Sequence, residues 1–131
     1  TGANQRTLTL SNGAIIWDLA GNVYEWTDAT ILGKDQPQRI ANPTSFGWCD
    51  YSNLYSYGVF SPERLLPLNS SWNSTQGYGK IYTRSVATDT VTYVFLRGGS
   101  WYQRTDAGVL ALALNYGTSH TTSGIGFRCA R

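Results

Sequence analysis

Read as a pattern of apolar and polar positions, the chain breaks into short β-like runs separated by turn residues. Thr7 to Leu10 is the first such run. Ser11-Asn12-Gly13 follows as a turn, because Asn-Gly tolerates the positive φ that a two-residue hairpin needs. Ala14 to Asp18 then predicts the returning strand. Ala20-Gly21-Asn22 marks another turn, and Val23 to Trp26 a short half-buried strand. From Thr27 through Gly79 no period is sustained, and Pro37, Pro43, Pro62 and Pro67 all fall here. The helical candidate in it is Pro62 to Leu66, with Ser61 as N-cap and Pro62 at the first helical position. So long an irregular stretch is unusual in a compact domain. Phe46, Trp48, Tyr51, Tyr55, Tyr57, Trp72 and Tyr78 lie within it, so its loops are expected to be ordered around large rings.

The pattern sharpens in the last third. Lys80 to Arg84 reads as a short strand. Thr90 to Leu96 is rich in β-branched and aromatic residues and reads as a strong one. Gly98-Gly99 breaks it. Val109 to Leu114 alternates Leu110, Leu112 and Leu114 with Val109, Ala111 and Ala113, which predicts a strand with small residues on one face. Ile125 to Ala130 is a terminal strand. The class implied is α+β, dominated by short strands with long ordered loops.

Composition narrows what such a fold can do. At 131 residues the chain is one domain, residues 1–131, able to bury its apolar surface without staples. The net charge is +2, too small for a dedicated nucleic-acid or anionic-membrane surface, and the lysines, Lys34 and Lys80, are far apart. No apolar run approaches the length of a membrane span. Thr1 opens the chain with no signal-like segment, which leaves a mature form and a domain cut from a longer chain both open. Cys49 and Cys129 have two readings: one disulfide closing a long loop, or two buried free thiols. Their spacing matches no zinc site.

Between the framework runs R-G-G-S-W (Arg97 to Trp101) and I-G-F-R-C-A-R (Ile125 to Arg131) the residue types change. Tyr, Ser, Gly, Asn and Thr, with an occasional Arg or His, are what adaptable binding surfaces are made of. Tyr supplies rigid contact area with few torsions to freeze, and the small polar residues supply hydrogen bonds. Three pieces in order, W-D-L-A-G-N-V-Y-E-W (Trp17 to Trp26), R-G-G-S-W and G-F-R-C-A-R, resemble the formylglycine-generating-enzyme branch of the C-type lectin fold. A related group shares the frame: the variable proteins of diversity-generating retroelements. There an error-prone reverse transcriptase replaces template adenines, and the altered copy is written into the end of the gene. That resemblance implies a variable segment of about 98–131. Adenine replacement at AAC-type codons cannot yield Lys, Glu, Gln, Met or Trp. Tyr102 to Gly124 contains no Lys, Glu, Met or Trp, and Gln103 is the departure.

The resemblance also brings a chemistry that this sequence does not support. Formylglycine-generating enzymes use a cysteine pair between the glycine-rich and G-F-R motifs to hold copper and engage a substrate thiol, and this chain has no cysteine there. In the sulfoxide synthases that share the frame, the iron-binding histidines would lie in a region absent here. His120 is the single histidine, with no partner for a catalytic constellation, and is expected as a loop contact. No cofactor is expected. Calcium is the exception left open, since Asn22 and Glu25 lie in a motif that helps hold it in some relatives, but two oxygens do not make its six-to-eight-oxygen site. Trp17, Trp26 and Trp101 are expected in the core, and Arg97 and Arg128 as structural groups capping carbonyls or pairing with Asp18 or Glu25. Gly98 and Gly99 lack the lysine and helix of a phosphate loop. Asn69-Ser-Ser and Asn73-Ser-Thr are glycosylation sequons only in a host that glycosylates.

The sequence therefore predicts a non-catalytic binding domain. Its contact residues would be Tyr102 and Tyr116 as aromatic anchors; Arg104, Asp106 and His120 as charged or switchable contacts; Gln103, Ala113, Asn115, Ser119, Thr121, Thr122 and Ser123 as adaptable positions; and Gly117 and Gly124 as loop-shaping glycines. The expected partner is a macromolecule, protein or surface glycan, with no nucleic acid and no membrane insertion. The resemblance places such a protein outside the cell, on a cell surface or a virion. The alternatives are a formylglycine-generating-type oxidase module and a structural virion or surface domain.

Overall fold

The computed structural model describes residues 7–9, 11–17, 21–56, 75 and 77–127. Three sheets form among them. β1 (Thr7–Thr9) and β2 (Ile15–Trp17) make an antiparallel hairpin across the expected Asn-Gly turn, where Gly13 has φ 82° and the Asn12 side chain accepts from the Ala14 N–H at 3.0 Å. A six-stranded mixed sheet forms the centre. It contains β3 (Tyr24–Leu32), β5 (Gly47–Cys49), β7 (Ile81–Thr83), β8 (Thr92–Arg97), β9 (Leu112–Ala113) and β10 (Ile125–Gly126), in the order β10-β3-β8-β9-β7-β5. β4 (Gln38–Arg39) and β6 (Leu54–Ser56) pair separately. Short 3-10 turns supply the helical content, including Gly33–Asp35, Tyr51–Asn53 and Arg104–Asp106. Among the described residues no helix is long and apolar enough to cross a membrane.

The central sheet has a core on each face, and the alternation of β8 divides between them. Tyr93 and Phe95 join Ile31, Tyr51, Ile81, Leu112 and Leu114 on one side; Val94 and Leu96 join Tyr24 and Ala113 on the other. β9 lies between β8 and β7, so both of its edges are paired; the two cores cover its faces, and residues 111 to 114 are all fully buried. The leucine face of the predicted Val109 to Leu114 strand meets Tyr51 and Phe95. On the other face Ala113 packs in the cluster of Tyr24, Trp48, Tyr82 and Tyr116 rings, where a small residue suits close packing.

The structure corrects several expectations. The strand expected to stop at Trp26 continues to Leu32, because an irregularity between Trp26 and Thr30 lets it follow β8 without keeping one period. The stretch after Thr27 holds ordered strands and turns rather than loop alone. Gln36 explains part of that order. It is buried, its amide nitrogen donates to the Leu114 carbonyl at 2.7 Å, and its amide oxygen accepts from the Thr83 hydroxyl at 3.1 Å. Cys49 is a free thiol on β5, and burial pushes its pKa up to about 11. The helix expected over Pro62 to Leu66, both sequons' asparagines, Arg128 and Cys129 lie outside the described residues.

Candidate functional site

Two loops leave the sheet beside Tyr24. The first follows β8 and runs from Gly98 to Leu110; the second follows β9 and runs from Asn115 to Gly124, where β10 begins. Gly98 and Gly99 turn the chain out of β8 with φ 86° and 76°. A Cβ on Gly99 would stand 2.6 Å from Ala107, so the turn needs both the left-handed backbone and the missing side chain. The Gly98 carbonyl then accepts from Gly21 N at 2.9 Å and Gly108 N at 3.2 Å, closing the base of the loop.

Gln103, expected as an adaptable contact, works inside this loop. Its side-chain oxygen accepts from the Ser100 N–H at 2.6 Å, and its amide nitrogen donates to the Tyr24 hydroxyl. Tyr24 sits on β3 and is 2% exposed. Its ring also meets Tyr116 of the second loop edge to face, at 6.4 Å. One buried tyrosine thus touches both loops. Burial pushes its hydroxyl above the ordinary phenol range. The loops also meet each other: the Tyr102 pKa is raised by burial first and then by the Tyr116 phenol beside it. Asp106 pairs with Lys80 at 2.9 Å, which raises the lysine's pKa through that hydrogen bond.

The remaining positions divide by exposure. Tyr102, Arg104, Ser119, His120, Thr121, Thr122 and Ser123 face solvent. Asn115, Tyr116 and Gly117 are half-buried, and the His120 ring lies against Tyr116 at 4.4 Å between centroids. Ala113 is a correction: at 0% exposure, beneath aromatic rings, its methyl group has no route to a partner. Gly124, expected to shape the loop, is buried, and its carbonyl accepts from Tyr24 N at 2.7 Å. Trp101 departs in the opposite sense. Expected in the core, it is 72% exposed and packs at right angles on Tyr102, ring centroids 5.5 Å apart. The positive-φ turn before it sends the chain outward; only its backbone is tied inward, N–H to the Asn22 carbonyl at 3.1 Å. Phe127, just past β10, is also exposed. The sequence signal for Trp101 was its place just past the Gly98-Gly99 break, after Ser100, where strand alternation no longer applies.

The framework residues are accounted for in the same way. Arg97 hydrogen-bonds the Tyr51 hydroxyl, and burial lowers its pKa; Asp18, one of its expected partners, lies outside the described residues. Tyr51 in turn donates to the Leu110 carbonyl at 2.5 Å, holding the far end of the first loop. Asn22 is exposed in its turn, and Glu25 is half-buried on β3. Among the described residues no three of His, Cys, Asp and Glu come together as a metal site.

A family model matches residues 7–131, the sulfatase-modifying factor enzyme 1-like domain. The chain belongs to that family. Its fold is C-type lectin-like, and a strand-dominated domain with few helical turns agrees with it. The sulfatase-modifying factor enzyme 1-like match covers both loops and the β3 residues beneath them. No curated protein and no solved structure matches the chain.

Proposed function

We propose that this sulfatase-modifying factor enzyme 1-like domain is a non-catalytic ligand-binding module. In this reading it is receptor- or adhesin-like and displays a retroelement-diversified surface to a macromolecule outside the cell. One observation carries the reading: Tyr24 anchors two loops from a buried position while Trp101, Tyr102, Arg104 and Ser119 to Ser123 stay exposed above it. Loops pinned from below present side chains in fixed geometry, which lowers the ordering cost of binding. Exposed positions that the sheet does not use can change without unfolding it. The test is genomic and direct. Sibling genes should differ at Tyr102, Arg104, Asn115, Ser119, His120, Thr121, Thr122 and Ser123 and agree at Tyr24, Gly98, Gly99 and Ala113. Differences spread evenly over the chain would overturn the diversified reading.

Family membership favours a second reading, a formylglycine-generating-type oxidase module. A soft metal such as copper(I) needs thiolates brought together. The segment between the glycine-rich and G-F-R motifs carries none, and the raised pKa of Cys49 keeps that thiol protonated at neutral pH. These residues do not fit such a site. Stoichiometric copper(I) binding with turnover of a thiol peptide would establish the oxidase instead.

A further inference from the structure

We propose that Arg104 is the anchor by which this surface selects a protein partner bearing an acidic patch, pairing a carboxylate while Trp101 and Tyr102 cover apolar surface beside it. The inference rests on the binding reading above and adds the partner's chemistry. The segment from Tyr102 to Gly124 holds three chargeable groups: Arg104, Asp106 and His120. Asp106 is neutralised by Lys80 at 2.9 Å. His120 lies against the Tyr116 ring. Arg104 is exposed, and its guanidinium has no partner among the described residues. The uncompensated charge on the two loops is therefore one cation, and an acidic surface complements it.

The backbone at Arg104 carries a second observation. Its φ is 49°, a left-handed conformation that glycine or asparagine accepts far better than arginine. What the fold takes from this residue is a carbonyl, which accepts from Ala107 N at 3.3 Å and which any residue would supply. The side chain is thus idle within the described fold while its backbone is strained, a combination that collects at binding sites. It stands beside two exposed rings, Trp101 at 72% and Tyr102 at 53%. Trp, Tyr and Arg are the side chains that dominate protein–protein hot spots, and Gln103 fixes the turn between Tyr102 and Arg104 by its two hydrogen bonds.

The experiment has two arms on the whole chain. Thermal unfolding of Arg104→Gly should give a melting temperature higher by roughly 3 °C, since strain is relieved and no contact is lost; a clear fall would show that the side chain serves the fold and overturn the premise. In the second arm a displayed library of random peptides is selected on the protein, and binders lost on the paired substitutions Trp101→Ala and Tyr102→Ala are kept. These should be enriched in Asp and Glu, weaken with added salt, lose roughly tenfold or more in affinity with Arg104→Ala and recover part of it with Arg104→Lys. Aromatic-dependent binders that are neutral or basic and indifferent to Arg104 would leave the surface standing and overturn the acidic partner. A selection whose binders all ignore Trp101 and Tyr102 would overturn the surface and this inference together.

Discussion

A phenol buried under two loops needs a hydrogen-bond partner, and at Tyr24 that partner is the Gln103 amide. Tyr24→Phe keeps the ring contact with Tyr116 and strands the amide. It should cost about 1–2 kcal/mol in denaturant unfolding, whereas Ser119→Ala on the open face should stay within about 0.5 kcal/mol. The pH dependence of the Tyr24 contribution has a definite sign. Its folded pKa is raised above the ordinary phenol value of 10.0, so its stabilisation is complete below that pH and is lost as pH climbs through the higher folded value. Cys49 follows the same sign: alkylation of Cys49 in a Cys129→Ser variant should titrate with an apparent pKa of about 11, and a value near 9.0, that of an ordinary thiol, would show the thiol exposed. At this scale the sequence was legible where composition decides. The loop's Tyr, Ser, Thr and His positions did fall largely on open surface. Gln103 and Trp101 were not legible, because their roles come from a hydrogen bond to residue 24 and from a turn, and neither leaves a periodic mark.

β9 shows what pattern can and cannot reveal about an element. The alternation of Leu110, Leu112 and Leu114 with Ala111 and Ala113 announced a strand, and only its middle, Leu112–Ala113, pairs as one. Its burial follows from a central position between β8 and β7 with a core on each face, which involves residues some thirty positions away in Ile81–Thr83. The alanine face thus reads as spacing for rings rather than as a weak exposed side. Ala113→Leu should overpack against Tyr24 and Tyr82 and cost about 1–3 kcal/mol, read by chemical denaturation; a neutral outcome would mean that the second core is loosely packed. β3 shows the converse. A continuous nine-residue strand escaped the pattern because its register shifts between Trp26 and Thr30.

Across the whole molecule, the strand order puts the glycine-rich end of β8, the C-terminal end of β9 and the start of β10 near Tyr24, so segments distant in sequence build one surface. Three ordered motifs made the family legible from sequence, since they encode the frame; the surface they carry is encoded in pairings between strands that no local window contains. The central claim is that the sheet holds these loops still while their outer side chains remain free to change. The measurement that tests it most directly is thermal unfolding of a chain in which Tyr102, Arg104, Ser119, His120, Thr121, Thr122 and Ser123 are all replaced together by other small, polar or aromatic residues. The account predicts one cooperative transition within roughly 3 °C of the parent. Loss of cooperativity, or a fall of more than about 10 °C, would show that these side chains hold the fold and contradict it.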